Sequence, residues 1–135
     1  MKELLKSLNT VESSDVLFDT CFFFYELKHH KNLKGAVTSF NAEEIIHVSH
    51  RLSTELKKEI RESMKHHDIS LINIPVHPGN WEEERDYVNN ADPDILRLIH
   101  DPSDAVLIAA AIKMRAKKVY TRDKHHLYTT VLENY

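Results

Sequence analysis

Four acidic residues, far apart in the chain, occupy positions from which their carboxylates could act together. They are Asp19, Glu44, Asp104 and Asp123. Carboxylates that lie close together repel one another, and burial adds a desolvation cost, so such a group is expected to be neutralised by a cation. Oxygen ligands without thiolate or imidazole favour Mg²⁺ or Mn²⁺. The four residues are therefore candidate ligands of a divalent metal ion.

The elements that would position these acids alternate between strand and helix. Short apolar runs predict four strands, at residues 16–18, 35–40, 69–76 and 119–121. Apolar residues at helical spacing predict one continuous helix from about residue 42 to about residue 66, and an alanine-rich helix at 105–114. This alternation is typical of an α/β domain with a parallel sheet.

The strand ends place the four acids near one another. In an open parallel sheet, ligands bind outside the carboxyl ends of the strands. Asp19 and Asp123 each follow a predicted strand at that edge, and Glu44 and Asp104 stand in the first turns of helices that begin there. The sequence therefore predicts that the four carboxylates converge at one rim of the sheet.

Helix capping is the competing explanation for two of these acids. Asn41 is predicted to cap its helix, which puts Glu44 three residues on, at the capping-box position. Ser103 is predicted to cap the helix that carries Asp104, whose charge would complement the helix dipole. Neither explanation accounts for Asp19, which directly follows a buried strand.

Bulk properties bound the class of protein. The 135 residues suit one domain, residues 1–135, with a single core. A net charge of −3 does not resemble a DNA-coating protein, though it is compatible with a nuclease. The sequence has no apolar stretch long enough for a membrane helix and no signal-peptide pattern, and it has one cysteine, so a cytoplasmic location without membrane association is expected.

Four segments resemble the successive signatures of the PIN domain family, which includes the VapC-type toxins. They are residues 16–20, 38–45, 102–111 and 119–123. The third contains an Asp-Ala-Val-Leu-Ile-Ala-Ala helix, and the fourth ends in Thr-Arg-Asp. The resemblance runs from about residue 15 to about residue 127. It implies a three-layer α/β/α sandwich around a central parallel sheet of four to five strands.

The resemblance also implies a metal-dependent endoribonuclease. Asp19, Glu44, Asp104 and Asp123 match the acidic positions of the family and would hold one or two Mg²⁺ or Mn²⁺ ions. Thr121 matches the family's small hydroxyl residue and is expected to orient a water or a carboxylate. Glu43, next to Glu44, is an alternative second acid, although Glu44 lies closer to the apolar stripe of its helix.

Partners and alternative functions follow from the same resemblance. Expected partners are an RNA substrate, an antitoxin protein and a second copy of the chain in a homodimer. Candidate RNA contacts are Arg122, Lys124 and Lys31, basic residues in segments expected to flank the rim. A non-catalytic PIN-like module that binds RNA or protein is the main alternative. Zinc binding by the paired histidines is a further one, but neighbouring histidines point in different directions.

Overall fold

A parallel β-sheet forms the centre of the computed structural model, which describes residues 1–99 and 101–121. Its four strands are β1 (Val16–Phe18), β2 (Lys34–Thr38), β3 (Asp68–Ile72) and β4 (Lys118–Tyr120). The strand order is β3-β2-β1-β4, and every pairing is parallel. The predicted α/β class with a parallel sheet is confirmed.

Seven α-helices connect and cover the strands in the described part of the chain. They are α1 (Lys2–Lys6), α2 (Thr20–Tyr25), α3 (Ser39–Ser49), α4 (Thr54–Met64), α5 (Trp81–Ala91), α6 (Ile95–Leu98) and α7 (Pro102–Met114). A 3₁₀ helix at Leu27–His29 follows α2. Among residues 1–99 and 101–121, no helix combines the length and the apolar character needed to cross a lipid bilayer.

The sheet buries a separate apolar core on each face, because neighbouring side chains in a strand point to opposite sides. Leu17 packs with helices α5 to α7 on one face, in a core rich in alanine and isoleucine. Phe18 packs on the other face with helices α1 to α4, in a core rich in phenylalanine. The helices thus lie on both faces, which confirms the three-layer arrangement.

The junction between β2 and α3 lies earlier in the chain than the sequence predicts. The strand ends at Thr38, and the helix begins at Ser39. Thr38 caps the helix, since its hydroxyl accepts a hydrogen bond from the Asn41 N–H at 3.1 Å. The prediction that Asn41 is the cap is therefore wrong. Asn41 occupies the capping-box position, and Glu44 stands one turn beyond it.

Two other predicted boundaries also change. The predicted continuous helix is interrupted after Ser49, because the Ser53 side chain accepts a hydrogen bond from the Leu56 N–H and starts a new helix, α4. Asp101, not Ser103, caps α7, since its carboxylate accepts a hydrogen bond from the Ser103 N–H at 3.0 Å. The Ser103 side chain is thereby left available for another contact.

Candidate functional site

Asp19 links the end of β1 to the first turn of α2. Its Oδ1 accepts a hydrogen bond from the Thr20 N–H at 2.8 Å, which caps the helix. Its Oδ2 accepts a hydrogen bond from the Thr121 hydroxyl at 3.0 Å. Thr121 reaches this position because the parallel pairing of β1 and β4 sets Phe18 beside Tyr120. The predicted pair of Asp19 and Thr121 therefore lies together at the carboxyl ends of the strands.

Glu44 extends this arrangement from helix α3. Its Oε1 accepts hydrogen bonds from the Thr20 hydroxyl at 3.1 Å and from the Asn41 side-chain amide at 3.2 Å. The same amide nitrogen donates to the Thr20 hydroxyl at 3.0 Å. Asn41 is itself held by the buried Thr38, whose hydroxyl donates to the Asn41 Oδ1 at 2.8 Å. This network fixes the Glu44 carboxyl beside Asp19.

Burial raises the pKa of Glu44 from 4.5 to about 7. The hydrogen bond from Thr20 acts in the opposite direction, while the negative charges of Asp19, Glu84 and Asp104 raise the pKa further. A carboxyl with a pKa near neutrality exchanges its proton readily at physiological pH. The three neighbouring charges also show that acidic groups from both faces of the sheet lie near Glu44.

Asp104 and Glu84 approach Glu44 from the other helical layer. Asp104 stands in the first turn of α7 and is exposed to solvent. Glu84, from α5, is completely buried. The Glu84 Oε1 accepts a hydrogen bond from the Ser103 hydroxyl at 2.8 Å. Its Oε2 is buried and has no hydrogen-bond partner among the described residues.

Glu84 is not among the site residues predicted from the sequence. It is one of three consecutive glutamates, and composition alone does not separate it from Glu82 and Glu83. A signal was nevertheless present, because Glu84 shares a helix face with Tyr87 and Val88, three and four residues on, and both are buried. The helical period therefore places Glu84, but not its neighbours, on the buried face of α5.

Glu43 faces a different environment from Glu44. It is exposed, and its Oε1 lies 2.8 Å from the Nδ1 of His77. The hydrogen bond and the charge of Glu43 raise the pKa of His77 above its usual value. A surface cavity of about 520 Å³ has both glutamates in its lining, with His47, Val48, Pro78 and Gly79. Of the two adjacent acids, Glu44 is the one beside Asp19.

The remaining predicted contacts are not placed with these acids. Asp123, the predicted fourth carboxylate, lies outside the described residues, and so do Arg122 and Lys124. Lys31 precedes β2 and therefore lies at the amino ends of the strands, opposite the edge that carries Asp19. Helix α2 and the 3₁₀ helix carry the chain from the edge with Asp19 back to the amino ends of the strands, where β2 begins.

The acids of the described residues do not form a ready-made metal site. Within residues 1–99 and 101–121, no three side chains of the histidine, cysteine, aspartate and glutamate types are grouped closely enough to hold one ion. Asp19, Glu44 and Asp104 therefore interact through their charges without yet converging on one point. The metal site remains a prediction.

Comparison with known proteins gives no assignment. No family model matches the chain, and neither the curated proteins nor the solved structures contain a match to it. The resemblance to the PIN domain family thus remains an interpretation of four sequence segments.

Proposed function

We propose that this protein is a Mg²⁺- or Mn²⁺-dependent endoribonuclease that hydrolyses RNA phosphodiester bonds. One observation carries the proposal: the Glu44 carboxyl, whose pKa is about 7, is held beside Asp19 and within reach of the charge of Asp104. Perturbed carboxyls of this kind are typical of functional sites. The position of the group, outside the carboxyl ends of parallel strands, is also where ligands bind in such sheets.

The residues present suit a hard divalent cation. The donors at this edge are carboxylate oxygens, with hydroxyl and amide groups around them, and this is the ligand chemistry of Mg²⁺ and Mn²⁺. The buried Oε2 of Glu84, which has no hydrogen-bond partner in residues 1–99 and 101–121, is a further oxygen that a cation would satisfy. Asp19, Glu44 and Asp104 would hold the ion, with Asp123 as the fourth predicted ligand.

The chain's own groups would orient the reactants. A bound divalent ion would supply a more acidic water and stabilise negative charge on the phosphate. Thr121 and the Thr20 N–H hold the two oxygens of Asp19 in fixed directions. Thr20 and Asn41 hold the Glu44 carboxyl, which would bind the ion directly or through a water. Such preorganisation lowers the cost of ordering the site during the reaction.

The RNA substrate rests on the sequence resemblance alone. With it come the further expectations of a cytoplasmic toxin, an antitoxin protein that keeps it silent, and a homodimer. From the sequence, the N-terminal face with Leu4, Leu5 and Leu8 could serve as a dimer surface or pack on the core of its own chain. Leu5 is buried in that core, while Leu4 and Leu8 border a groove of about 330 Å³ beside Met64 and Ile69. Light scattering of the purified protein tests the dimer.

The nuclease proposal is tested by RNA cleavage in the presence of Mn²⁺. We expect Asp104→Asn to reduce cleavage about 100-fold or more, because the substitution removes a ligand charge without changing side-chain size. Asp86→Asn, which makes the same change at an exposed position of α5, serves as the matched control and should keep full activity. Equal activity of Asp104→Asn and wild type would contradict the site assignment.

A non-catalytic module that binds RNA or protein is the second candidate. It is favoured by the absence, in the described residues, of three side chains placed to hold one ion. This alternative predicts RNA binding without cleavage in Mn²⁺, and no effect of Asp104→Asn on binding. A fluorescence-anisotropy titration of labelled RNA, with the cleavage assay alongside, separates the two candidates.

A further inference from the structure

We propose that Glu84 is an additional cation-binding residue of this site, beyond the four acids that the sequence motifs contain. Its Oε2 would contact the divalent ion directly or through one water, while Ser103 holds its Oε1. This inference rests on the proposed metal-dependent function and adds one more residue to the proposed ligands of the ion.

The burial of Glu84 is the first argument. The residue is 0% exposed, yet one of its two carboxylate oxygens has no hydrogen-bond partner among the described residues. A buried polar atom without a partner destabilises a fold, and such atoms are rare in native proteins. Helix α5 offers exposed positions for acidic residues, as Glu82 and Asp86 show. A buried carboxylate at this one position therefore calls for a ligand.

The location of Glu84 is the second argument. Its Oε1 is bound by the hydroxyl of Ser103, the residue that directly precedes the predicted ligand Asp104. Its charge also acts on Glu44, which belongs to the layer on the other face of the sheet. Glu84 thus lies beside the first turn of α7, near enough to the Glu44 network for its charge to act on Glu44.

The hydrogen bond from Ser103 fixes the direction of the unpaired oxygen. Because the hydroxyl occupies Oε1, the carboxylate cannot rotate without losing that bond, and Oε2 keeps its orientation. Asp101 makes this arrangement possible, since it caps α7 and leaves the Ser103 side chain free to contact Glu84. Fixed carboxylate oxygens of this kind are typical of ligands supported by a neighbouring hydrogen bond.

The test is binding of Mn²⁺ alone, measured by isothermal titration calorimetry on the full chain. Glu84→Gln is nearly isosteric and keeps an oxygen for Ser103, but it removes the charge of the proposed ligand. Glu82→Gln makes the same change on the exposed face of the same helix. We expect Glu84→Gln to weaken Mn²⁺ binding about 10- to 100-fold and Glu82→Gln to leave it unchanged.

Thermal unfolding separates this role from a purely structural one. In EDTA, Glu84→Gln should be at least as stable as wild type, since it removes a buried charge. On addition of Mn²⁺, the melting temperature of wild type should rise more than that of Glu84→Gln. An equal rise in both proteins, with equal Mn²⁺ affinity, would overturn the assignment of Glu84.

Asp104→Asn distinguishes failure of this inference from failure of the proposed function. If Asp104→Asn loses Mn²⁺ and Glu84→Gln does not, the metal site stands and Glu84 is not part of it. If wild type itself binds no Mn²⁺, both the metal-dependent function and the role of Glu84 are overturned. If both variants bind more weakly and Glu82→Gln does not, both are supported.

Discussion

The two faces of the sheet contribute to the same edge in different ways. The phenylalanine-rich face carries Asp19 and Glu44, whose oxygens accept hydrogen bonds from Thr121, Thr20 and Asn41. The alanine-rich face carries Asp104 and Glu84, and the buried Oε2 of Glu84 lacks a partner among the described residues. The carboxylates on the first face are therefore held by hydrogen bonds, whereas the second face contains a buried oxygen without a hydrogen-bond partner among the described residues.

This difference separates two requirements of a binding site. Hydrogen bonds within the protein hold a carboxylate in place whether or not a ligand is present, and they account for the fixed position of Glu44. A buried oxygen without a partner gains most from a ligand, because binding removes an existing penalty. In the proposed metal site, the first face would supply preorganisation, and the second would supply a driving force for binding.

The stability lost on substitution in the core should differ most between the two faces of the sheet. Phe22 packs on Phe18, Tyr120 and His30, with ring centroids 5.8, 5.1 and 5.4 Å away. We expect Phe22→Ala to lower the free energy of unfolding by about 4 kcal/mol, as large-to-small core substitutions do. Ala109→Gly, within the buried helix α7, should cost about 1 kcal/mol, mainly through helix propensity. Urea unfolding measures both, and similar losses would remove the contrast.

Glu44 should make stability depend on pH. Its pKa is raised from 4.5 to about 7 in the folded state, so the folded protein binds the proton more tightly than the unfolded chain does. Without metal, deprotonation of Glu44 should lower the free energy of unfolding by up to about 3 kcal/mol as pH rises from 4.5 to 7. Above pH 7, the Glu44 carboxyl should lower this free energy little further.

The difference between wild type and Glu44→Gln measures this contribution together with the charge interactions that Glu44 makes, because groups distant from Glu44 titrate equally in both proteins. Urea unfolding in EDTA at pH 5 and pH 8 provides the measurement. A pH dependence that is the same in both proteins would show that Glu44 is not held in the environment described.

Asn41 supports the hydrogen-bonded group around Glu44, and its removal should cost an intermediate amount of stability. It is buried, and its side chain makes hydrogen bonds to Thr38, Thr20 and Glu44. We expect Asn41→Ala to cost about 2 kcal/mol, since three polar groups lose a partner. Asn73→Ala, at an exposed position, is the control and should change little. Unfolding of the two variants by urea decides the outcome.

Substitution in the exposed pair of Glu43 and His77 should change stability least of all. Its effect on the His77 pKa should distinguish Glu43 from the adjacent Glu44. Glu43→Gln removes the interaction that raises the pKa of His77, so this pKa should fall toward 6.5 in an NMR titration. The stabilisation from the pair is present below the unfolded pKa of His77 and is lost as pH rises through its folded pKa. Glu44→Gln should leave the His77 titration unchanged.

The sequence predicted the class of fold well because strand and helix periods differ clearly. The apolar run before Asp19 and the alanine-rich α7 were both identified from such patterns. The sequence predicted the helix starts less well, because Thr38 and Asn41, or Asp101 and Ser103, are all good capping residues at the level of composition. Only the tertiary contacts decide between them: Asn41 binds Glu44, and Ser103 binds Glu84.

The position of Glu84 shows a second kind of limit. Its burial follows from the helical period, but the unpaired state of its Oε2 depends on how α5 packs against α7, which no local pattern contains. The position of Lys31, by contrast, follows from the direction of the strands, which places it at the opposite edge of the sheet from Asp19. A lysine before β2 lies at the amino ends of the strands, and counting basic residues near the motifs does not reveal this.

The contact between Thr121 and Asp19 has a consequence for synthesis of the chain. These residues are 102 positions apart, and β4 is paired directly with β1. Translation proceeds from the N-terminus, so β1, β2 and β3 leave the ribosome before Thr121 does. A nascent chain therefore carries Asp19 without the hydroxyl that orients its Oδ2. Completion of this edge is tied to the emergence of β4 and Thr121, which would delay any activity of the proposed site until most of the domain has been made.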